Sequence, residues 1–398
     1  MNILIVSPFF SPNIQIASFR IDAFARYFRE AGHTVTVITI GERDETVTRY
    51  GCTVHYLRDW AGNLSGSDAR KRFVGPLRLM LMRMQFLCSL DWRALWRRRA
   101  CAKARELLDR EPADVLLTSY SPLAPHMIAL RLRKKGYKFH WVADMRDEMS
   151  DHPHHSLHIA RRLRRVERIV LREADLVTTV SRPLVDQFRR LCGHDRFLEV
   201  RNGYDYEEVR DASFQPRFTL GYVGRFYWES RPDNLFEVLA EMKRRGEIPS
   251  DFRFRIVGNH LRLVVPEAIR DNVEQEAEVP HDEALAILRQ LDVLVMIHPT
   301  GRRGVYTGKV FDYLASNKPI LALFDPRDVV ADLLAETRAG FVADNDDREG
   351  VRRKILECHR LWRDREVLPR DWEKIRQYRR KNQVGILLKH LEATLRRH

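Results

Sequence analysis

Short apolar runs recur along the chain, separated by stretches in which apolar residues return every three or four positions. MNILIVS opens as a continuous apolar strand, and Phe19, Ala23, Phe24, Tyr27 and Phe28 then fall at helical spacing until Gly32-His33. TVTVIT is the next strand, followed by DVLLTS (114–119), a helix over 123–134, FHWVAD (139–144) and DLVTTVS (175–181). Runs that are apolar throughout, with helices of roughly 10–15 residues between them, predict a parallel sheet covered on both faces. The alternation restarts at FTLGYVG (218–224) and continues through FRFRIVG (252–258), VLVMIHP (293–299), PILALFD (319–325) and GFVAD (340–344). Between the two series lies Arg201–Arg217, polar and interrupted by Gly203 and Pro216, which reads as a linker. Two doubly wound α/β domains are expected, over 1–205 and 206–398, the second with a charged helical extension past Asp346. Open α/β sheets bind ligands beyond the carboxyl ends of their strands, so two such sheets facing across a cleft would share a site there.

The length of 398 residues agrees with about two domains. Cys52, Cys88, Cys101, Cys192 and Cys358 are odd in number and scattered without metal-ligand or redox spacing. Free thiols in a reducing compartment are the plain expectation. The first apolar run lacks the charged segment of a signal peptide, and no run approaches the roughly 18 residues that cross a bilayer. A cytoplasmic protein is therefore expected.

The net charge of +14 is concentrated in two places. Residues 70–103 carry ten Lys/Arg against Asp91 alone, and residues 159–173 carry six Arg against Glu167 and Glu173. Across 77–95, Leu77, Met80, Leu81, Met84, Leu87, Cys88 and Leu95 share one helical face, with Arg78, Arg83, Arg93 and Arg97 opposite. With Trp92 and Trp96 nearby, this basic amphipathic segment suits the surface of an anionic membrane. A packed helix with a solvated face is the alternative. His152, His154, His155 and His158 lie at Pro-broken spacing with no Cys beside them, which argues for a polar loop and against a metal site.

The densest chemistry lies in GRRGVYTGKVFDYLASNKPILALFD (301–325). A Gly-containing basic loop feeds a helix opened by Thr307-Gly308-Lys309. Free backbone N–H groups there favour a phosphate, and Lys309 adds a full charge. Asp312, one turn on, is placed to accept hydrogen bonds from sugar hydroxyls. A diphosphate joined to a ribose and a sugar is a nucleotide-sugar, so an enzyme using one is expected.

In order along the second half come GYVGRF, RIVG, HDEALAILRQLDVLVMIHP, TGKVFDYLASNKPILAL and AGFVADNDD. Weaker matches are SPFFSPNIQIASFR, HTVTVIT, WVADMRDE and TVSRPL followed by VRNGYD. This set resembles the retaining glycosyltransferases of the family-four type, which have the GT-B fold of two Rossmann-like domains. The resemblance implies that Arg225, with Arg231, clamps the donor diphosphate together with Lys309, since guanidinium binds two phosphate oxygens at once. It implies that the backbone around Val279 and His281, with Gly258 nearby, reads the base. Asp312 stands at the second Glu of the family's paired-Glu motif, while the first falls at Gly304. Ser18 and Arg20, in a loop where relatives carry glycines, become candidates for ligand contact, or else an N-cap and an exposed cation. Asp144 falls where many relatives line the acceptor site with His and is the candidate to orient or deprotonate an acceptor hydroxyl. Its alternative is a loop-fixing pair, Asp144–Arg146 or Arg146–Asp147.

The expected function is metal-independent transfer of a sugar from a nucleotide diphosphate donor, which is substrate rather than cofactor, to a hydroxyl of a lipid-linked glycan. A nucleotide-sugar epimerase on the same fold is the rival enzyme. Nucleic-acid binding, suggested by the pI of 9.7, lacks stacking aromatics on a strand platform and is not expected.

Overall fold

Eight strands form the sheet of the first unit, which comprises Met1–Arg201 and Gln383–His398. The computed structural model describes residues 1–13, 16–59, 80, 84, 91, 93–150, 156–226, 230–298, 304 and 306–396. In chain order the unit runs β1 (Asn2–Val6), α1 (Ile16–Glu30), β2 (Thr34–Gly41), β3 (Glu45–Arg49), β4 (Cys52–Arg58), α2 (Ala94–Arg110) and β5 (Val115–Tyr120). It continues with α3 (Ala124–Lys134), β6 (His140–Met145), α4 (Leu157–Glu173), β7 (Leu176–Thr179), α5 (Arg182–Cys192) and β8 (Phe197–Glu199). The sheet order is β3-β4-β2-β1-β5-β6-β7-β8, parallel except for β3, which pairs antiparallel with β4. That hairpin turns at Tyr50 and Gly51, both at positive φ (53° and 74°), the backbone a two-residue turn between right-twisted strands needs.

Helices α2, α3, α4 and α5 cover one face of this sheet, with Trp96, Ile128, Leu132, Leu163, Val170 and Phe188 in its core. Helix α1 covers the other face, where Phe24 and Phe28 meet Ile3, Ile5, Val35 and Val54. Val384, Leu387 and Leu391, near the end of the chain, join this second core.

The second unit, Asn202–Asn382, contains β9 (Thr219–Val223), α6 (Asp233–Arg244), β10 (Arg253–Val257), a 3-10 turn (Glu267–Asn272), β11 (Val273–Glu276), α7 (His281–Arg289) and β12 (Val293–Ile297). After these come α8 (Gly308–Leu314), β13 (Ile320–Leu323), α9 (Val329–Thr337), β14 (Gly340–Ala343), α10 (Arg348–Arg363), α11 (Trp372–Gln377) and the start of α12 (Arg380–Leu395). Its six strands are parallel in the order β11-β10-β9-β12-β13-β14. The order reverses between β9 and β12, and such a switch point opens a crevice at the strands' carboxyl ends.

The division differs from the expected one. The boundary falls after Arg201 rather than after 205, and Gln383–His398 belongs to the first unit instead of extending the second. The reason is burial: the apolar stripe of α12 completes the α1 side of the first sheet. Most of the 70–103 segment, and His152, His154 and His155, lie outside the described residues. No helix among the described residues is long and apolar enough to cross a membrane.

One buried cation organises the underside of the second sheet's key helix. Arg370, 7% exposed, donates to Leu314 O (2.6 Å), Tyr313 O (3.4 Å) and Ala339 O (3.2 Å), and also to the Lys318 carbonyl. Burial lowers its guanidinium pKa to about 9. Replacing it strands buried acceptors at the end of α8, so Arg370→Leu should reduce stability by about 3 kcal/mol. Chemical denaturation measures this, and an unchanged midpoint would mean the carbonyls find other donors.

Candidate active site

Three loop starts meet at the switch point of the second unit. β9 is apolar to its end and hands the chain to Gly224, held at φ +123°, a conformation open to a residue without Cβ. The space a Cβ would fill is taken by Lys309 of α8, whose Cε and Nζ would lie 2.5 and 2.8 Å from it. Gly258, after β10, abuts the Gly224 backbone, a built Cβ lying 3.6 Å from its Cα. Glu278, after β11, contributes the next backbone segment, 3.7 Å from the same point.

Lys309 is anchored by a residue that sequence reading left as an ordinary strand position. Its Nζ donates to the Tyr222 hydroxyl at 2.6 Å and lies 3.8 Å from that ring's centroid. The same hydroxyl donates to the Arg225 carbonyl at 3.0 Å, so Tyr222 ties the two expected diphosphate ligands together. Phe226 stacks on Tyr222 at 3.8 Å and fixes the ring. Among the described residues no carboxylate pairs with Lys309, and burial pulls its pKa from 10.5 down to about 7. Helix α8 is held at this spot by the Val223 N–H donating to the Tyr313 hydroxyl (3.2 Å).

Arg225 projects from the same loop but is compensated. It pairs with Glu278 at 2.6 Å, and His260 Nε2 meets the same carboxylate oxygen at 3.1 Å. Both members of the Arg225–Glu278 pair are more than half exposed, at 55% and 54%, so an incoming anion can compete for the guanidinium. Arg231 instead pairs with Asp233 at 2.8 Å and reaches the Arg262 carbonyl at 3.5 Å. Asp312 lies three residues past Lys309 on α8. Burial raises its pKa, with His281 and Arg380 acting against that. The Tyr206 hydroxyl donates to its backbone carbonyl (2.6 Å) and reaches its carboxylate only at 3.4 Å. His281 opens α7, and Val279, two residues earlier, packs against the core that holds Leu288 and Leu291. The Thr307 hydroxyl is buried with no hydrogen-bond partner, so α8 begins without a side-chain cap. At the position of the missing first Glu, the Gly304 N–H donates to Asp328 at 2.7 Å.

The first unit holds a very different arrangement. Asp144, at the end of β6, is 0% exposed and accepts bonds from Arg20 Nη2 (2.7 Å), Arg20 Nε (3.1 Å), Ser119 (2.8 Å) and Thr178 (2.8 Å). Burial pushes its pKa up, and Arg20 more than offsets this, leaving the carboxyl below its ordinary value. In this arrangement the carboxylate is enclosed and its charge answered by Arg20, so the structure does not present Asp144 to solvent as the expected acceptor-facing base. Neither expected pair forms there, because Arg146 donates to the Tyr120 (2.7 Å) and Ser121 (3.3 Å) carbonyls while Arg20 takes Asp144. Arg20 is accordingly buried and neither an exposed cation nor free to clamp phosphate. Ser18 lies inside α1, fully buried with its hydroxyl unpartnered, and is not the N-cap.

Residues 18–203 match the family described as glycosyl transferase 4-like domain, and residues 217–360 match the one described as glycosyl transferases group 1. The chain belongs to the GT-B glycosyltransferases. No curated protein sequence matches it. Among solved structures it is similar to sucrose-phosphate synthase of Thermosynechococcus elongatus, with 14% identity, a TM-score of 0.66 and 99% of each chain covered. It is similar also to the UDP-forming α,α-trehalose-phosphate synthase of Burkholderia vietnamiensis (12% identity, TM-score 0.63, covering 99% of this chain and 100% of that one). A third is the E. coli trehalose-6-phosphate structure bound with UDP-2-fluoro glucose (12%, TM-score 0.59, covering 98% and 99%). At these identities the likeness concerns the fold.

Within this glycosyltransferase, Lys309, Arg225, Gly258 and Asp312 were singled out from the sequence, whereas Tyr222, Tyr206 and Glu278, which the structure places in contact with them, were not. The one available signal for Tyr222 was its place two residues before the Gly-Arg pair. Gly224→Ala should keep the enzyme folded while forcing Lys309 aside and straining a positive φ. Its nucleoside diphosphate affinity should fall at least about tenfold, the effect of a lost charge-assisted bond. Calorimetric titration against a panel of nucleoside diphosphates reads this, and unchanged affinity would remove Lys309 from the anion site.

Proposed function

We propose that the enzyme transfers a sugar from a nucleotide diphosphate donor to an acceptor hydroxyl, binding the diphosphate at the β9–β12 switch point. The observation that carries this reading is Lys309: a half-buried amine poised over the Gly224 backbone, its pKa lowered by burial, with no carboxylate partner among the described residues. Burying a cation without an anion is costly, and a diphosphate arriving there restores the missing charge. Arg225 adds a bidentate donor once it leaves Glu278. As the donor's glycosidic bond breaks, negative charge grows on the departing phosphate oxygens, and Lys309 and Arg225 stabilise it without a metal ion. Gly308 and Thr307 open α8 next to Lys309, Asp312 takes ribose hydroxyls, and the backbone about Gly258, Val279 and His281 meets the base. The bound UDP-2-fluoro glucose of the E. coli neighbour supports a nucleotide-sugar donor.

In this reading the anomeric configuration is retained, as the resemblance implies, and the acceptor is a lipid-linked glycan met at an anionic membrane surface. The local basicity of residues 70–103 supports the membrane part. Both matched families are transferases, so the epimerase rival finds no support.

Lys309→Ala and Arg225→Ala should each lower transfer on the order of 10²–10³-fold, with circular dichroism unchanged. Near-normal turnover in both would overturn the proposal. Donor identity comes from a thermal-shift screen of nucleotide-sugars, in which the true donor stabilises the enzyme in proportion to its binding.

The depressed Lys309 pKa gives a pH signature. Below about 7 the amine is charged and above it neutral, so nucleoside diphosphate affinity should fall as pH rises through neutrality. Lys309→Arg should flatten that dependence, since guanidinium keeps its proton. The linkage to folding runs the other way: between about 7 and 10.5 the unfolded chain holds more protons at this residue. The unliganded fold therefore gains stability from this group as pH rises. A titration series across neutral pH that is flat in the unaltered enzyme would refute the assignment.

A further inference from the structure

Helix α4 carries six arginines against Glu167 and Glu173, and folding makes its outer face more basic than its sequence. Arg161, Arg164, Arg165, Arg168 and Arg172 are all exposed and line one continuous hollow of about 380 Å³ with Ile169. Of the two acids on this helix, Glu167 is turned inward and fully buried, accepting bonds from the Met149 N–H (2.6 Å) and Ser150 hydroxyl (2.7 Å), and only Glu173, at the helix end, is exposed. None of the five arginines forms an ion pair with a described carboxylate. Two apolar side chains stand among them in water, Leu157 at 79% and Ile169 at 43% exposure.

The neighbouring helices extend this face. α2, α3 and α4 lie side by side on the same side of the sheet. Arg98 of α2 with Arg131 and Lys134 of α3 are exposed and form no ion pair with described residues. They rim a groove of about 460 Å³ whose floor includes Met127, Ile128 and Leu130. With packed helices spaced roughly 8–10 Å apart, these cations spread over a surface about 20 Å wide. A single phosphate would need convergent cations, whereas these are dispersed over three helices with apolar groups between them. That arrangement is complementary to an extended anionic plane into which short apolar side chains can dip.

We propose that the outer face of α4, continued across α3 and α2, docks the enzyme on a bilayer of anionic phospholipid. The proposal deepens the membrane reading above and rests on it, but moves the contact from the 70–103 segment alone to a helix outside that segment. Each basic residue near such a surface contributes about 1 kcal/mol, and the attraction fades within a Debye length.

The test is co-sedimentation of the full chain with phosphatidylcholine vesicles, with and without phosphatidylglycerol, at low and physiological ionic strength. One variant combines Arg161→Gln, Arg165→Gln, Arg168→Gln and Arg172→Gln, which keeps helix propensity and lies on the solvent face. Binding should require phosphatidylglycerol, weaken with salt, and fall on the order of 10³-fold in this variant, about 1 kcal/mol being lost per charge. Circular dichroism and donor hydrolysis in solution should match the unaltered enzyme. If the α4 variant binds normally while Arg97→Ala/Arg98→Ala/Arg99→Ala does not, the α4 proposal fails and the membrane reading stands. If the unaltered enzyme ignores phosphatidylglycerol, or binds only duplex nucleic acid in a parallel filter assay, both fall.

Discussion

The second domain is organised around a half-buried amine. Lys309 rests against the Tyr222 ring and hydroxyl and over the bare Cα of Gly224, and burial, which disfavours the charged amine, brings its pKa down to about 7. Several independent features keep it there. Gly224 leaves the space, Tyr313 ties α8 to β9, and Arg370 binds the carbonyls at the far end of the same helix. Remove any of these and the amine can swing back into solvent, where it is an ordinary surface lysine.

The contrast with Asp144 and Arg20 shows why charge alone does not identify a reactive group. That pair is buried, short and fully hydrogen-bonded, so its charges are already answered within the protein. It joins α1 to the end of β6 and holds the loop region of the first sheet. Arg225 is intermediate: it is paired, yet exposed enough for its partner to be exchanged. Degree of compensation, more than residue type, separates the three cases. The same reasoning extends to the surface, where Glu167 faces the core and leaves Glu173 as the one exposed acid on α4.

Much of this was legible from the chain. Continuous apolar runs such as VLVMI must be covered on both faces, which specifies parallel strands with helices on each side, and both sheets have that form. Lys309 and Arg225 were readable because each follows a strand end or opens a helix, where the local chain direction already aims them. The β3–β4 hairpin was not readable, since β3 is largely polar and the turn uses Tyr50, a residue that seldom adopts positive φ. The reach of Arg20 to Asp144, 124 positions away, was hidden for a different reason: the nearby Arg146 offered a simpler partner.

The sequence by itself determined the periodicities, and with them the two doubly wound sheets and the loops at their strand ends. It also determined that the last helix has an apolar stripe to bury. Which surface receives that stripe, which arginine answers Asp144, and whether Lys309 is wet or dry were decided only by tertiary structure. Each depends on which groups meet across long sequence separations, and burial and charge compensation are properties of those meetings rather than of any residue alone.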